Sequence, residues 1–239
     1  MLVKKLSLAT LSLLFAACTS VPPPLSSDNL IASGFQRPAA PALVVMLPPQ
    51  VAALDLQEGV ALLKEQLRLQ LSQAGYKVVA LDQDSYNAIW RQEIAEVGGV
   101  FDPATGAMKR REYAQALGHL VQRVSAETKA AMVIRPQLVL RKAEVAGVSA
   151  AWDGQIRRLP AKGGGGDDVR GNGSTLGLSV GLNMFAASGE LVLSTYGGAM
   201  LPYRVNFLTL QNEVRPDLFA EDKDLADGVA LALEPFFKL

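Results

Sequence analysis

The sequence predicts an α/β fold of the α+β kind. It is a mixed sheet with a βαβ start, an antiparallel meander, helices packed on the sheet and a C-terminal helix. Three observations predict it. The continuous apolar run Ala42 to Leu47 is followed at helical spacing by Val60, Leu63, Leu67, Leu71 and Ala74. Gly75 then leads into a second apolar run, Tyr76 to Leu81, and this order reads as a βαβ unit. From Arg141 the hydrophobic period changes to two, which marks strands with one solvated face. Asp222 to Phe237 returns to the helical period, with Leu225, Val229, Ala232 and Phe236 on one side.

Ahead of the first strand, Lys4 and Lys5 precede the apolar stretch Leu6 to Phe15, and Ala16-Ala17-Cys18 follows it. This is the layout of a secretory leader, and its apolar part is too short for a bilayer core of about 30 Å. The lone cysteine of the chain at that point resembles the lipobox of bacterial lipoproteins, with Phe15 departing from the leucine preferred there. The resemblance implies cleavage after Ala17, acylation of Cys18 (palmitate among the chains) and attachment to the membrane through that residue. Two or more acyl chains give stable anchoring, at about 0.8 kcal/mol per buried methylene. Thr19 stands where an aspartate would signal retention at the inner membrane, so the expected location is the outer membrane, lipid-anchored, on its periplasmic face. Residues 18–41, with Pro22-Pro23-Pro24, Pro38 and Pro41, read as a proline-rich tether. Residues 42–239 then form a single periplasmic domain.

Within that domain, Ala42 to Leu47 reads as a strand buried on both faces and closed by Pro48-Pro49. Asp55 and Glu58 have the spacing of a capping box for the first helix. Asp82 or Asp84 can cap a second helix running to about Val97. A third, from about Met108 to Glu127, carries Tyr113, Ala116, Leu117, Leu120, Val121 and Val124 on one face. Ala131 to Leu140 reads as a strand whose Pro136 belongs at an edge or a bulge. Ala143 to Ile156 and Leu176 to Phe185 read as antiparallel strands, and Ser188-Gly189-Glu190 as a hairpin turn into Leu191 to Tyr196. Between the two strands, residues 162–174 are so rich in glycine that a flexible loop is expected.

Composition narrows the function. Twenty-three basic residues balance 23 acidic ones, and loss of Lys4 and Lys5 tips the balance to acidic, so no nucleic-acid partner is expected. With Cys18 acylated, no disulfide can form within the chain.

The order of strands and helices, together with Val44-Val45-Met46-Leu47-Pro48, Gly75-Tyr76-Lys77-Val78-Val79 and the Ser-Gly-Glu turn between Gly181 and Leu193, resembles one family in particular. It is similar to the periplasmic domains of the curli-secretion lipoprotein CsgG and the LpoB-type activators of peptidoglycan synthases. The resemblance covers about 42–239. It implies an α/β sandwich and a non-enzymatic envelope accessory; the long amphipathic hairpins of a pore are missing from this chain.

Candidate chemistry is sparse. His119, the lone histidine, falls beside Gln115, Gln122 and Arg123, outside the apolar stripe, and reads as a surface residue. The 163–173 segment lacks the Gly-Lys-Ser/Thr of a phosphate-binding loop, and its Gly-Gly-Gly-Gly-Asp-Asp occurs once where calcium nonapeptides come in tandem. Trp152-Asp153-Gly154 is a turn whose tryptophan either packs on the sheet or anchors a partner. Phe101 and Asp102, in the Gly98–Gly106 loop, are candidates for partner binding, with a simple helix connector as the alternative. No catalytic residue, metal site or cofactor is expected. The expected role is a non-catalytic accessory, an assembly or partner-regulating factor, with an envelope protein or a second copy of the chain as partner. The alternatives are an envelope hydrolase and a small-ligand-binding module.

Overall fold

The computed structural model describes residues 24–162, 171–206, 208–209 and 211–239. The expected leader with Ala17, the expected acylation site Cys18, and residues 163–170 of the expected glycine-rich loop lie outside the described residues.

The βαβ unit forms as its pattern requires. β2 (Leu43–Met46) follows a short β1 (Leu30–Ile31) and leads through β3 (Gln50–Val51) to α1 (Gly59–Gln73) and β4 (Lys77–Ala80). β2 pairs in parallel with β4 on one side and with β5 (Met132–Gly147) on the other. Burial on both faces explains its unbroken apolar run, with Val44, Val45 and Met46 all buried. Gly75 takes φ +88° where α1 gives way to β4. β4 is the outer strand, and its side chains are largely exposed.

The expected capping box is corrected. α1 starts at Gly59 with no side-chain cap, and Asp55 lies in a preceding 3₁₀ turn. α2 (Gln83–Glu96) keeps its cap: the Asp82 carboxylate accepts the Ser85 amide at 2.8 Å, a bond that also lowers its pKa. α3 (Arg110–Thr128) buries the expected stripe from Ala116 to Val124 and leaves Tyr113 half-buried.

Beyond α3 the strands are longer than the sequence suggests. β5 continues unbroken past Arg141, because all of it pairs with β9 (Gly171–Ala186). Residues 171–174, expected in the loop, belong to β9. Of the edge or bulge expected for Pro136, the edge is corrected: the residue is central, and the ladder opposite it is irregular, with Met46 facing Ile134 and Gln50 facing Gln137. Ile134 and Leu138 offer their carbonyls to Leu47 and Ala52, so Pro136, between them, turns its missing N–H toward the break that Pro48-Pro49 opens between β2 and β3. No ladder bond is lost there. β10 (Leu191–Met200) pairs with β9 after the Ser188-Gly189 turn. The main sheet runs β1-β10-β9-β5-β2-β4, with β3 and the hairpin β6 (Ser149–Trp152)–β7 (Gln155–Arg158) attached to β5. A small second sheet, unforeseen in the sequence, joins β8 (Ala161–Lys162), β11 (Tyr203–Asn206) and β12 (Gln211–Val214).

Alternation along β5 divides the core into two layers. Met132, Ile134 and Leu138 face α1 and α4 (Asp222–Phe237), while Val133 joins Phe185 under α3. α4 seats Leu225, Val229, Ala232 and Phe236 as expected.

The tether is corrected over residues 24–41, which form a strap on the domain. Residues 24–41 lie along the domain because β10 would otherwise present an open edge. β1 pairs with Leu193 and Ser194, Asn29 accepts the Tyr196 amide at 2.9 Å, and Asp28 pairs with Arg141 at 2.6 Å. Further on, Tyr76 donates to the Pro38 carbonyl at 2.7 Å. The rest of the β10 edge is sealed by the β6–β7 turn: Gly198 donates to the Asp153 carbonyl at 2.9 Å, and Arg157 to the Ala199 carbonyl at 3.1 Å.

Asp153 ties the turn to the strap. Its nearly buried carboxylate meets Arg141 at 2.7 Å and accepts the Ser179 hydroxyl at 2.7 Å. Asp153→Ala is therefore expected to lower stability by about 2 kcal/mol, less than for a fully buried pair because Arg141 keeps Asp28. It should also speed cleavage within residues 24–41 in limited proteolysis. Unchanged cleavage there would show that the strap is held without this link.

Candidate functional site

Open α/β sheets leave a crevice beyond the carboxyl ends of their parallel strands. Here β2 ends at Met46, and Leu47-Pro48-Pro49 interrupts the ladder on β5 until Gln50 resumes it in β3. Arg135 occupies that stretch. It shares the α3-facing side of β5 with Val133 and is only 7% exposed. One guanidinium nitrogen, Nη2, donates to Gln50 Oε1 and to Tyr113 Oη. Among the described residues Nε is buried with no hydrogen-bond partner, and the charge is met only by neutral oxygens.

An aromatic wall stands beside it, built by helix periodicity. Tyr86 and Trp90, four residues apart on α2, stack with ring centroids 6.3 Å apart. Trp90 meets Tyr113 of α3 edge-on at 5.4 Å, and Arg135 lies over the Tyr113 ring at 5.5 Å. Burial holds the Tyr86 hydroxyl above the usual tyrosine range, so it stays protonated and able to donate at neutral pH. The arrangement can hold a negatively charged oxygen group against a cation and aromatic edges.

A second cluster ties α2 to α3 around a buried carboxylate. Glu93, 2% exposed, meets Arg123 at 3.2 Å and His119 Nδ1 at 3.5 Å. Glu96 reaches Arg123 at 3.9 Å. The ligand atoms of Glu93, Glu96 and His119 lie within 4.8 Å of one another. Arg123 already supplies positive charge to both carboxylates, which makes the cluster an interhelical ion network. His119 is thus paired, where the sequence suggested only a surface residue.

The residues singled out in the sequence are not brought together. Trp152 is buried at 6% exposure, and its indole donates to the Leu178 carbonyl at 3.2 Å. It packs on the sheet and offers no exposed anchor. Asp102 accepts the Ala104 and Thr105 amides, both at 2.9 Å, and these bonds lower its pKa. It shapes the loop. Phe101 is exposed, its backbone bridged to Met108, and remains available to a partner. Arg135 was missed, although the signal was present: it is a charge directly after the apolar run Met132-Val133-Ile134 and before Pro136, where strands buried on both faces rarely place one.

No family model matches the sequence, and no curated protein matches it. Among solved structures, lipoprotein GNA1162 from Neisseria meningitidis aligns over 83% of this chain and 100% of its own length, at 10% identity and a TM-score of 0.35. No helix among the described residues is long and apolar enough to cross a membrane.

Proposed function

We propose that the chain is a lipid-anchored protein of the outer membrane, facing the periplasm, that serves as a non-catalytic accessory for assembly or partner regulation in the cell envelope. The observation that carries this reading is the single cysteine placed directly after Ala16-Ala17 at the end of a short apolar leader. The strap supports a sharper form of it. From Pro24 onward the chain lies along the domain, so the reach available to Thr19–Pro23 is at most about 17 Å. An anchor on Cys18 would hold the β6–β7 end of the domain close to the bilayer, and a partner would be met near the membrane.

Mass spectrometry of the mature N-terminus should find an acylated Cys18. Cys18→Ser should move the protein from the membrane pellet to the soluble fraction. An unmodified thiol, or a pellet indifferent to the substitution, would remove the anchor. For the accessory role, crosslinking in intact cells should recover an envelope protein, or a second copy of this chain, with the anchored form and far less with Cys18→Ser. Equal recovery from both forms, or none from either, would count against it.

A further inference from the structure

We propose that Arg135 anchors a binding site for a small oxyanion, a carboxylate or phosphate group, at the break between β2 and β3, beside α2 and α3. The inference is independent of the lipid anchor.

Charge accounting carries it. Arg123, Arg141, Arg157, Arg204 and Arg215 are all less buried than Arg135, and each has a carboxylate within 3.2 Å. Arg135 pairs with none among the described residues, and its polar contacts are the neutral Gln50 and Tyr113 oxygens. Its buried Nε–H has no acceptor among the described residues. A guanidinium held in a core without counter-charge or full hydrogen bonding is strongly unfavourable. Packing does not explain it, since Val133, its neighbour on the same face of the strand, is a fully buried apolar residue. An oxyanion would supply both the missing charge and the missing acceptor, and charge-assisted bonds of this kind are the strong ones.

The surroundings fit the same occupant. Tyr113 holds the guanidinium through its ring and hydroxyl together. Trp90 and Tyr86 add an indole N–H and a hydroxyl for which the described chain provides no hydrogen-bond partner, on rings that can line an organic group.

The test titrates the full-length chain in detergent with sodium phosphate, sodium acetate and sodium benzoate. Sodium chloride at matched ionic strength is the control. The readouts are the Arg135 Nε–H resonance and tryptophan fluorescence. A saturable shift with an oxyanion and none with chloride is expected. A preference for phosphate would identify a phosphoryl ligand, and a preference for benzoate a planar carboxylate beside the rings. Arg135→Gln should weaken binding at least about tenfold, the loss of one charge-assisted contact. Arg135→Met should abolish binding while leaving the ligand-free thermal midpoint unchanged or higher, because an unpaired charge is replaced by a well-packed apolar chain. The inference is overturned if no oxyanion shifts the wild-type resonance saturably, if chloride does so equally, or if Arg135→Gln binds as tightly as wild type. The wild-type titration decides the matter even if neither variant folds.

Discussion

Gly197→Ala is expected to destabilise the domain by about 3 kcal/mol, the upper end of overpacking in a close-packed core. The sequence offers no warning, since Gly197-Gly198 reads only as an interruption of a strand. The reason lies in how closely α4 approaches β10. A Cβ on Gly197 would stand 2.1 Å from the Gly228 carbonyl oxygen and 2.5 Å from the Ala232 amide nitrogen. Both are helix backbone, which cannot swing aside as a side chain can. The opposing Gly228 is equally confined, its own Cβ falling 2.8 Å from Ala199 Cβ. Polar bonds fix the helix at the same place: Thr195 donates to the Ala232 carbonyl at 2.7 Å, and Gln70 of α1 to the Ala226 carbonyl at 2.9 Å. To admit one methyl group, α4 would have to lift away from Val229, Ala232 and Phe236, which are 0% exposed. The control is Gly171→Ala, where nothing lies within 4 Å of the added atom. It should change stability by no more than about 0.5 kcal/mol. Urea midpoints decide it. If the two variants unfold together, the helix is less tightly seated than its contacts imply.

What could be read ahead of the structure follows from the range of the forces involved. The β2–α1–β4 unit, the stripe of α3 and the buried side of α4 were legible because each is a periodicity written over adjacent residues. The Asp82 cap and the Asp153-Gly154 turn were legible for the same local reason, and Asp153 and Gly154 indeed take φ +39° and +81°. What escaped depends on partners distant in sequence. Leu30-Ile31 looks like part of a proline-rich tether until β10 offers an edge. Asp55 looks like a helix cap, but its carboxylate instead faces the Tyr203 hydroxyl at 3.4 Å. Pro136 looks like an edge residue until Pro48-Pro49 is seen to open a gap beside it. The same holds for the Arg135 site, whose members come from α2, α3, β3 and β5. No spacing joins Tyr86, Tyr113 and Arg135. The one local hint was a charge in an apolar strand.

Trp152→Ala should destabilise the domain by about 3–5 kcal/mol, as expected for removing a buried tryptophan. It should also open the edge of β10. The side chain sits where two glycines make room for it: a Cβ on Gly177 would lie 2.5 Å from the indole Cε2, and one on Gly198 3.0 Å from Nε1. Around it, Ala143, Ala150 and Leu201 form a small core separate from the two main layers. Trp152 thus clamps the curled β6–β7 hairpin over β9 and β10. That clamp sets the Asp153 carbonyl against the Gly198 amide and brings Arg157 to the Ala199 carbonyl and to Asp224. Without the indole, the hairpin loses its seat, and the Gly198 amide should exchange with solvent much faster while amides of β2 stay protected. The strap at residues 28–29 should loosen with it, because Arg141 is held by Asp153 at the same turn. An exposed recognition residue would behave in the opposite way: Trp152→Ala would leave the urea midpoint and the Gly198 exchange rate untouched and impair only capture of a partner. Hydrogen exchange at Gly198 separates the two outcomes, since no partner need be present for it to change.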